Sequence, residues 1–175
     1  MQAETRLLFV YGTLMSHASS EMGRRERAQL DAAGRIVGPA FVTGQLFDLG
    51  AYPGFVASRS GAGVSAPATD NGRIAGMSAH ETCGLDDTSK PEAVVSRVYG
   101  ELRELEAPDA VFSWLDRYEG IDPVRRDTSE YRRIVCAATP IANLSVLQTP
   151  VAAWIYIYQG QLDGARLLPR GRWPS

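Results

Sequence analysis

A chain of 175 residues is long enough for one domain with a real core, burying about 70% of its unfolded surface. Its 45% apolar and 22% charged residues are those of an ordinary globule, and a net charge of −2 carries none of the basic excess that nucleic-acid binding requires. The longest apolar run, residues 151–158, falls well short of the ~18 residues of a membrane helix.

The first apolar run, Leu7-Leu8-Phe9-Val10, predicts a strand over residues 7–11 that is buried on both faces, and it stops at Tyr11-Gly12-Thr13-Leu14. Residues 1–6 before so short a run do not make a secretory signal, so a cytoplasmic protein is expected. Residues 20–33 predict a helix capped by Ser19 or Ser20, with Met22, Leu30 and Ala33 as its apolar positions and Gly34 as its stop. A second strand is expected over 41–49, ended by Gly50-Ala51-Tyr52-Pro53-Gly54. Residues 58–92 are rich in Ser, Ala, Gly, Thr and Asp without periodicity, which predicts a flexible insertion, partly disordered or acting as a lid. A third strand lies within 94–105, with Val98, Gly100 and Leu102 on one face and Tyr99, Glu101 and Arg103 on the other. Residues 108–118 predict the second helix. Strands follow over 131–138 and 151–158, the last alternating Trp154, Tyr156 and Tyr158 against Ile155 and Ile157. About five strands with two helices do not make a doubly wound sheet; they predict an α+β fold, a small mixed, partly closed β-barrel with flanking helices, in a single domain over 1–175.

Two features carry chemistry. The glycine-containing turn after the first strand offers backbone N–H groups to an anion. On the second helix, Val111, Phe112, Leu115 and Tyr118 form an apolar stripe, and Glu119, i+7 from Phe112 and i+4 from Leu115, points into it. A carboxylate among apolar neighbours is a base whose pKa is pushed upward. The opposing reading is that Glu119 frays into water, since helix C-termini are solvent-rich and an acid there opposes the helix dipole. Cys83 and Cys136 lie far apart with no C-x-x-C, and His17 and His80 are isolated, so no metal and no cofactor are expected. Arg166, Arg170 and Arg172 read as a solvated tail, so no nucleic acid and no membrane is expected as a partner; the anion-cradling turn points to a small molecule, and a monomer is favoured with the oligomeric state left open.

In combination these segments resemble the gamma-glutamylcyclotransferase-like family, in its short gamma-glutamylamine branch. The resemblance is carried by Val10-Tyr11-Gly12-Thr13-Leu14, by residues 44–54, by Val98-Tyr99-Gly100-Glu101-Leu102, by Leu115-Asp116-Arg117-Tyr118-Glu119-Gly120, by Tyr131-Arg132-Arg133 and by residues 153–158, in the family's order. It implies a small mixed barrel and an activity that releases 5-oxoproline from gamma-glutamyl amides. It maps the substrate-anchoring loop onto Tyr11, Gly12, Thr13 and Leu14, and the catalytic acid/base onto Glu119. Tyr52 and Tyr131 are the expected pocket walls, with barrel core as the alternative for each. Two further readings use the same pocket: a non-catalytic protein that binds a gamma-glutamyl or oxoproline-like ligand, and a tailoring enzyme that removes a gamma-glutamyl protecting group from a larger metabolite. The insertion at 58–92 departs from the family's compact pattern.

Overall fold

The computed structural model describes residues 5–57, 96–125, 128–141 and 149–173, and the expected insertion at 58–92, with His80 and Cys83, lies outside them. The described chain runs β1 (Leu7–Val10), α1 (Arg24–Ala32), β2 (Gly34–Asp48), β3 (Pro53–Ala57), β4 (Arg97–Leu105), α2 (Pro108–Tyr118), β5 (Tyr131–Pro140), β6 (Val151–Tyr158) and β7 (Arg166–Leu167).

Five of these strands close into a ring in the order β2-β4-β1-β6-β5, and β5 returns to β2. The closing seam is short, with Ala40 opposite Pro140 and Phe41 opposite Thr139. All ring pairings are antiparallel except β1 with β6, where Leu8 stands beside Trp154. The barrel is therefore mixed, as the sequence predicts, and fully closed. β3 and β7 pair with the far end of β2 outside the ring.

Strand alternation divides the apolar residues between two cores. Phe9, Val42, Val98, Leu102, Ile134, Ile155 and Ile157 fill the barrel interior. Leu8, Val10, Leu105 and Tyr156 face outward and pack against Leu30 of α1 and Val111, Phe112 and Leu115 of α2. β1 is thus covered on both sides, which is why its sequence is an unbroken apolar run.

On the outer face of β4, Glu101 and Arg103 form a buried ionic knot. Glu101 accepts hydrogen bonds from the Ser16 amide at 2.9 Å, the Ser16 hydroxyl at 2.7 Å and Arg103 Nε at 2.9 Å. Arg103 Nη1 continues to Asp31 on α1 at 2.6 Å. Its Nη2 lies 2.8 Å from Glu101 but is not aligned as a hydrogen bond.

α1 starts later than the sequence suggests. Gly23, with a left-handed φ of 77°, stands at its N-terminus, and the Ser20 hydroxyl donates to the Met22 carbonyl instead of capping the helix. Buried Arg27 explains the delay: its guanidinium collects the carbonyls of Thr13, Met22 and Ser20 at 2.5, 3.0 and 2.7 Å, which holds the connection from β1 in a non-helical path. Met22, expected inside the helix, is exposed before it.

Candidate active site

α2 begins with Pro108 in its first turn and ends on a local motif that fixes Glu119. The Ile121 amide donates to the Asp116 carbonyl at 2.8 Å and the Gly120 amide to Arg117 at 3.2 Å, with Gly120 at a left-handed φ of 70°. This is the Schellman termination, in which glycine takes the conformation that other residues resist. Glu119 is the C-cap, its own amide bonded to Leu115 at 2.9 Å, so the backbone beneath it does not fray.

The Glu119 side chain lines a cavity of about 220 Å³ between the end of β1, the Tyr11–Leu14 turn, α2 and the start of β3. Among the described residues its carboxyl has no hydrogen-bond partner. Burial pushes its pKa up to about 8, and the negative charges of Glu130 and Asp116 push in the same direction. A carboxyl in that state accepts a proton near neutrality and returns it.

The turn after β1 forms a second wall. Thr13 and Leu14 are buried and line the cavity, and among the described residues their amides donate to no acceptor. Free, buried donors at a cavity wall suit an oxyanion or a carboxylate. Gly12 shapes this turn without lining the cavity: its φ is 89°, and a Cβ there would stand 2.4 Å from Pro53 Cγ. Two contacts hold the turn in place: Arg27 on the Thr13 carbonyl and Glu101 on Ser16.

Tyrosines make the remaining walls. Tyr11 lines the cavity while its hydroxyl donates to the Tyr156 carbonyl at 2.6 Å and its ring meets Phe55 edge-on, so it belongs to the barrel core as well. Tyr131 is buried and donates to the Pro53 carbonyl at 2.9 Å. Tyr52 packs beside Tyr131 and donates to the Glu130 carboxylate, a bond that pushes the Tyr52 pKa up to about 12. The sequence reading brings Tyr11, Thr13, Leu14, Tyr52, Glu119 and Tyr131 to one cavity, and it missed Met22, Tyr118, Glu130 and Tyr156. Tyr156 was within reach, since its alternation put it on the face opposite Ile155 and Ile157, which the structure shows to be the helix-facing side of β6. Its hydroxyl donates to Asp116 at 2.6 Å, and Asp116 lies 3.5 Å from Arg133, whose guanidinium covers the Phe112 ring.

No group of three His, Cys, Asp or Glu among the described residues is placed to hold a metal ion. Cys136 is half-buried, and burial pushes its thiol up to about 12, so it is not a nucleophile at neutral pH. Among the described residues no helix is long and apolar enough to cross a membrane.

The described residues thus form a small closed-barrel protein with a desolvated carboxyl in a lateral, tyrosine-walled cavity. The chain belongs to the gamma-glutamyl cyclotransferase, AIG2-like, family, whose model matches residues 64–175 and so includes Glu119 but not the Tyr11–Leu14 turn. Among solved structures, the uncharacterized protein PH0828 from Pyrococcus horikoshii aligns with 96% of this chain and 89% of its own, at 10% identity and a TM-score of 0.49. The protein ytfP from Escherichia coli aligns over 95% of each chain at 20% identity and a TM-score of 0.49. No curated protein matches the chain.

Proposed function

We propose that the protein is a cofactor-free gamma-glutamyl cyclotransferase of the gamma-glutamylamine type, which releases 5-oxoproline and an amine from a gamma-glutamyl amide. The observation that carries this reading is Glu119: a carboxyl fixed at a helix terminus, facing a cavity without a partner of its own, and titrating near 8.

The reaction asks for little beyond that. The substrate's α-nitrogen attacks its own γ-carbonyl carbon, closing a five-membered ring, and the bond to the leaving nitrogen then breaks. Because nucleophile and electrophile share one molecule, holding the folded conformer supplies much of the acceleration. Glu119 takes a proton from the α-ammonium nitrogen and passes it to the departing nitrogen; the ring nitrogen sheds a second proton, which the released amine takes up as its ammonium, so Glu119 returns to its starting charge. The amides of Thr13 and Leu14 are the donors for the substrate's anionic groups, the α-carboxylate or the developing oxyanion. Tyr52 and Tyr131 wall the cavity and keep the reacting amide out of bulk water.

The test is direct. The protein is incubated with gamma-glutamyl-ε-lysine, glutathione and simple gamma-glutamyl amines, and 5-oxoproline is followed by NMR. Release of 5-oxoproline from at least one is the expected result; glutamate as the product would make the protein a hydrolase and overturn the reading.

A further inference from the structure

Resting on the cyclotransferase reading, we propose that Glu130 and the adjoining Tyr52 form a subsite for a cationic group on the leaving amine, so that the preferred substrates are gamma-glutamyl amides whose amine carries a second ammonium.

The charge of the cavity points there. Among the described residues its lining contains two carboxylates, Glu119 and Glu130, and no Lys, Arg or His. The nearby arginines face other groups: buried Arg27 holds three backbone carbonyls, and half-buried Arg133, whose Nη1 has no hydrogen-bond partner, lies against Asp116 and the Phe112 ring. A gamma-glutamyl head group is zwitterionic and leaves one cavity carboxylate without a counter-charge. Glu130 is exposed, which puts it where a departing amine meets water, and Glu119 is the inner acid. Glu130 Oε2 stands 3.8 Å from where a Cβ on Gly120 would be, one residue from the catalytic carboxyl. Among the described residues it forms no ion pair; its partner is the Tyr52 hydroxyl, which is neutral.

The tyrosines supply the second half of a cation site. The Tyr52 and Tyr131 rings lie tilted by 55° with centroids 6.4 Å apart, and Tyr158 meets Tyr131 edge-on at 5.4 Å. Aromatic faces beside a carboxylate attract an ammonium and tolerate its methylene chain, whereas they offer nothing to an anionic leaving group. The arrangement has a kinetic consequence as well. Glu130 is one of the charges that hold Glu119 in its protonated form, so a cation on Glu130 relieves that repulsion and leaves Glu119 a more fully ionised base once substrate is bound.

The test compares three amides that differ only at the tail: N-(gamma-glutamyl)-1,4-diaminobutane, the n-pentylamide in which a methyl replaces the ammonium, and the amide of 5-aminovalerate, which ends in a carboxylate. The wild-type protein is expected to rank them by kcat/KM as ammonium over methyl over carboxylate, with the first step about fivefold or more for a partly exposed pair with aromatic support. Raising the salt concentration shrinks the ratio, because an exposed pair is screened. In Glu130→Gln, which retains an acceptor for Tyr52, the ammonium-to-methyl ratio falls towards one. Taking the ratio within each protein cancels any change that loss of the Glu130 charge makes to Glu119. Equal use of the two amides by the wild type, or a ratio unchanged in Glu130→Gln, overturns the subsite. The second of these would place Glu130 on the γ-glutamyl head instead. Calorimetric binding of the same three amides to Glu119→Gln reads the subsite without turnover. The same ranking there, with no 5-oxoproline from any amide in the wild type, overturns the cyclotransferase reading and supports the subsite. No ranking, with turnover intact, does the reverse.

Discussion

Glu101 and Glu119 are both withdrawn from bulk water, and they differ in what meets the carboxyl. Glu101 receives two hydrogen bonds from Ser16 and one from Arg103, and the charge continues to Asp31. Glu119 receives none among the described residues, faces a cavity, and has only like charges as its electrostatic neighbours. A carboxylate surrounded by donors is a fastening, here tying β4 to α1 and to the loop beyond the Thr13–Leu14 turn. A carboxyl denied donors is a reservoir for one proton. On the proposed reading the isolated carboxyl is the reactive one, while the carboxylate satisfied by donors is structural.

Removing the fastening should produce the largest effect. Glu101→Ala leaves the 1% exposed Arg103 with half of its counter-charge, and losing one partner of a buried ion pair costs about 3–5 kcal/mol. For a chain of this size that is a fall of about 10 °C in Tm, measurable by thermal denaturation. A Tm within about 2 °C of wild type would show that the knot is not structural.

Glu119→Gln should invert the pattern, with Tm not lowered and turnover reduced by about 10² or more, the loss expected for a general acid/base. A retained rate above about a tenth would remove Glu119 from the mechanism. The same variant sharpens the contrast in stability. Glu119 is raised from 4.5 to about 8 in the folded protein, so between those values the folded state binds more protons than the unfolded one. Its contribution to stability is therefore complete below about pH 4.5 and is lost as pH rises through about 8. Glu119→Gln removes that slope, which chemical denaturation at pH 5 and pH 9 will read.

Gly12→Ala tests the wall that both glutamates serve. A left-handed φ of 89° and a Cβ 2.4 Å from Pro53 Cγ put the substitution under strain, at a cost of about 1–3 kcal/mol. The new methyl points at Pro53 and not at a ligand, so activity is expected to fall through displacement of the Thr13 and Leu14 amides, seen mainly as a higher KM. The smallest effect is expected from Glu130→Gln on the pH profile. The wild-type kcat/KM should rise with pH through a limb near 8, and loss of a like charge moves that limb downward by less than about one unit.

The sequence was most readable where one physical signal acted alone. α2 follows its apolar stripe over residues 108–118, and β6 its alternation over 151–158, with both ends in place. The same stripe located Glu119. It was silent where tertiary pairing overrode local preference. Residues 34–40, with Gly34, Gly38 and Pro39, carry no strand signal and the expected strand starts only at 41, yet they are the first half of β2, held by pairing with β4 across a register shift between Ile36 and Gly38. Residues 53–57 begin with Pro-Gly and read as a stop, yet they form β3, where a proline is tolerated at the first position of an outlying strand. The start of α1 was decided by Arg27, whose long-reaching guanidinium no local rule anticipates. Glu130 stayed hidden for a similar reason: it lies in a polar stretch without period, and only the Tyr52 hydroxyl brings it to the cavity.

The parallel pairing of β1 with β6 decides when this cavity comes into being. Tyr11 and Tyr156, joined by one hydrogen bond, are separated by 145 residues, with Glu119 between them in the chain. During synthesis the first strand emerges early and must wait for nearly the last one before its partner exists, a long-range closure of the kind that folds slowly. The pocket is therefore absent from every nascent fragment that stops short of β6. Once formed, its occupancy is coupled to global unfolding, so a ligand bound there raises the melting temperature of the whole barrel by an amount that grows with the logarithm of its concentration over its dissociation constant.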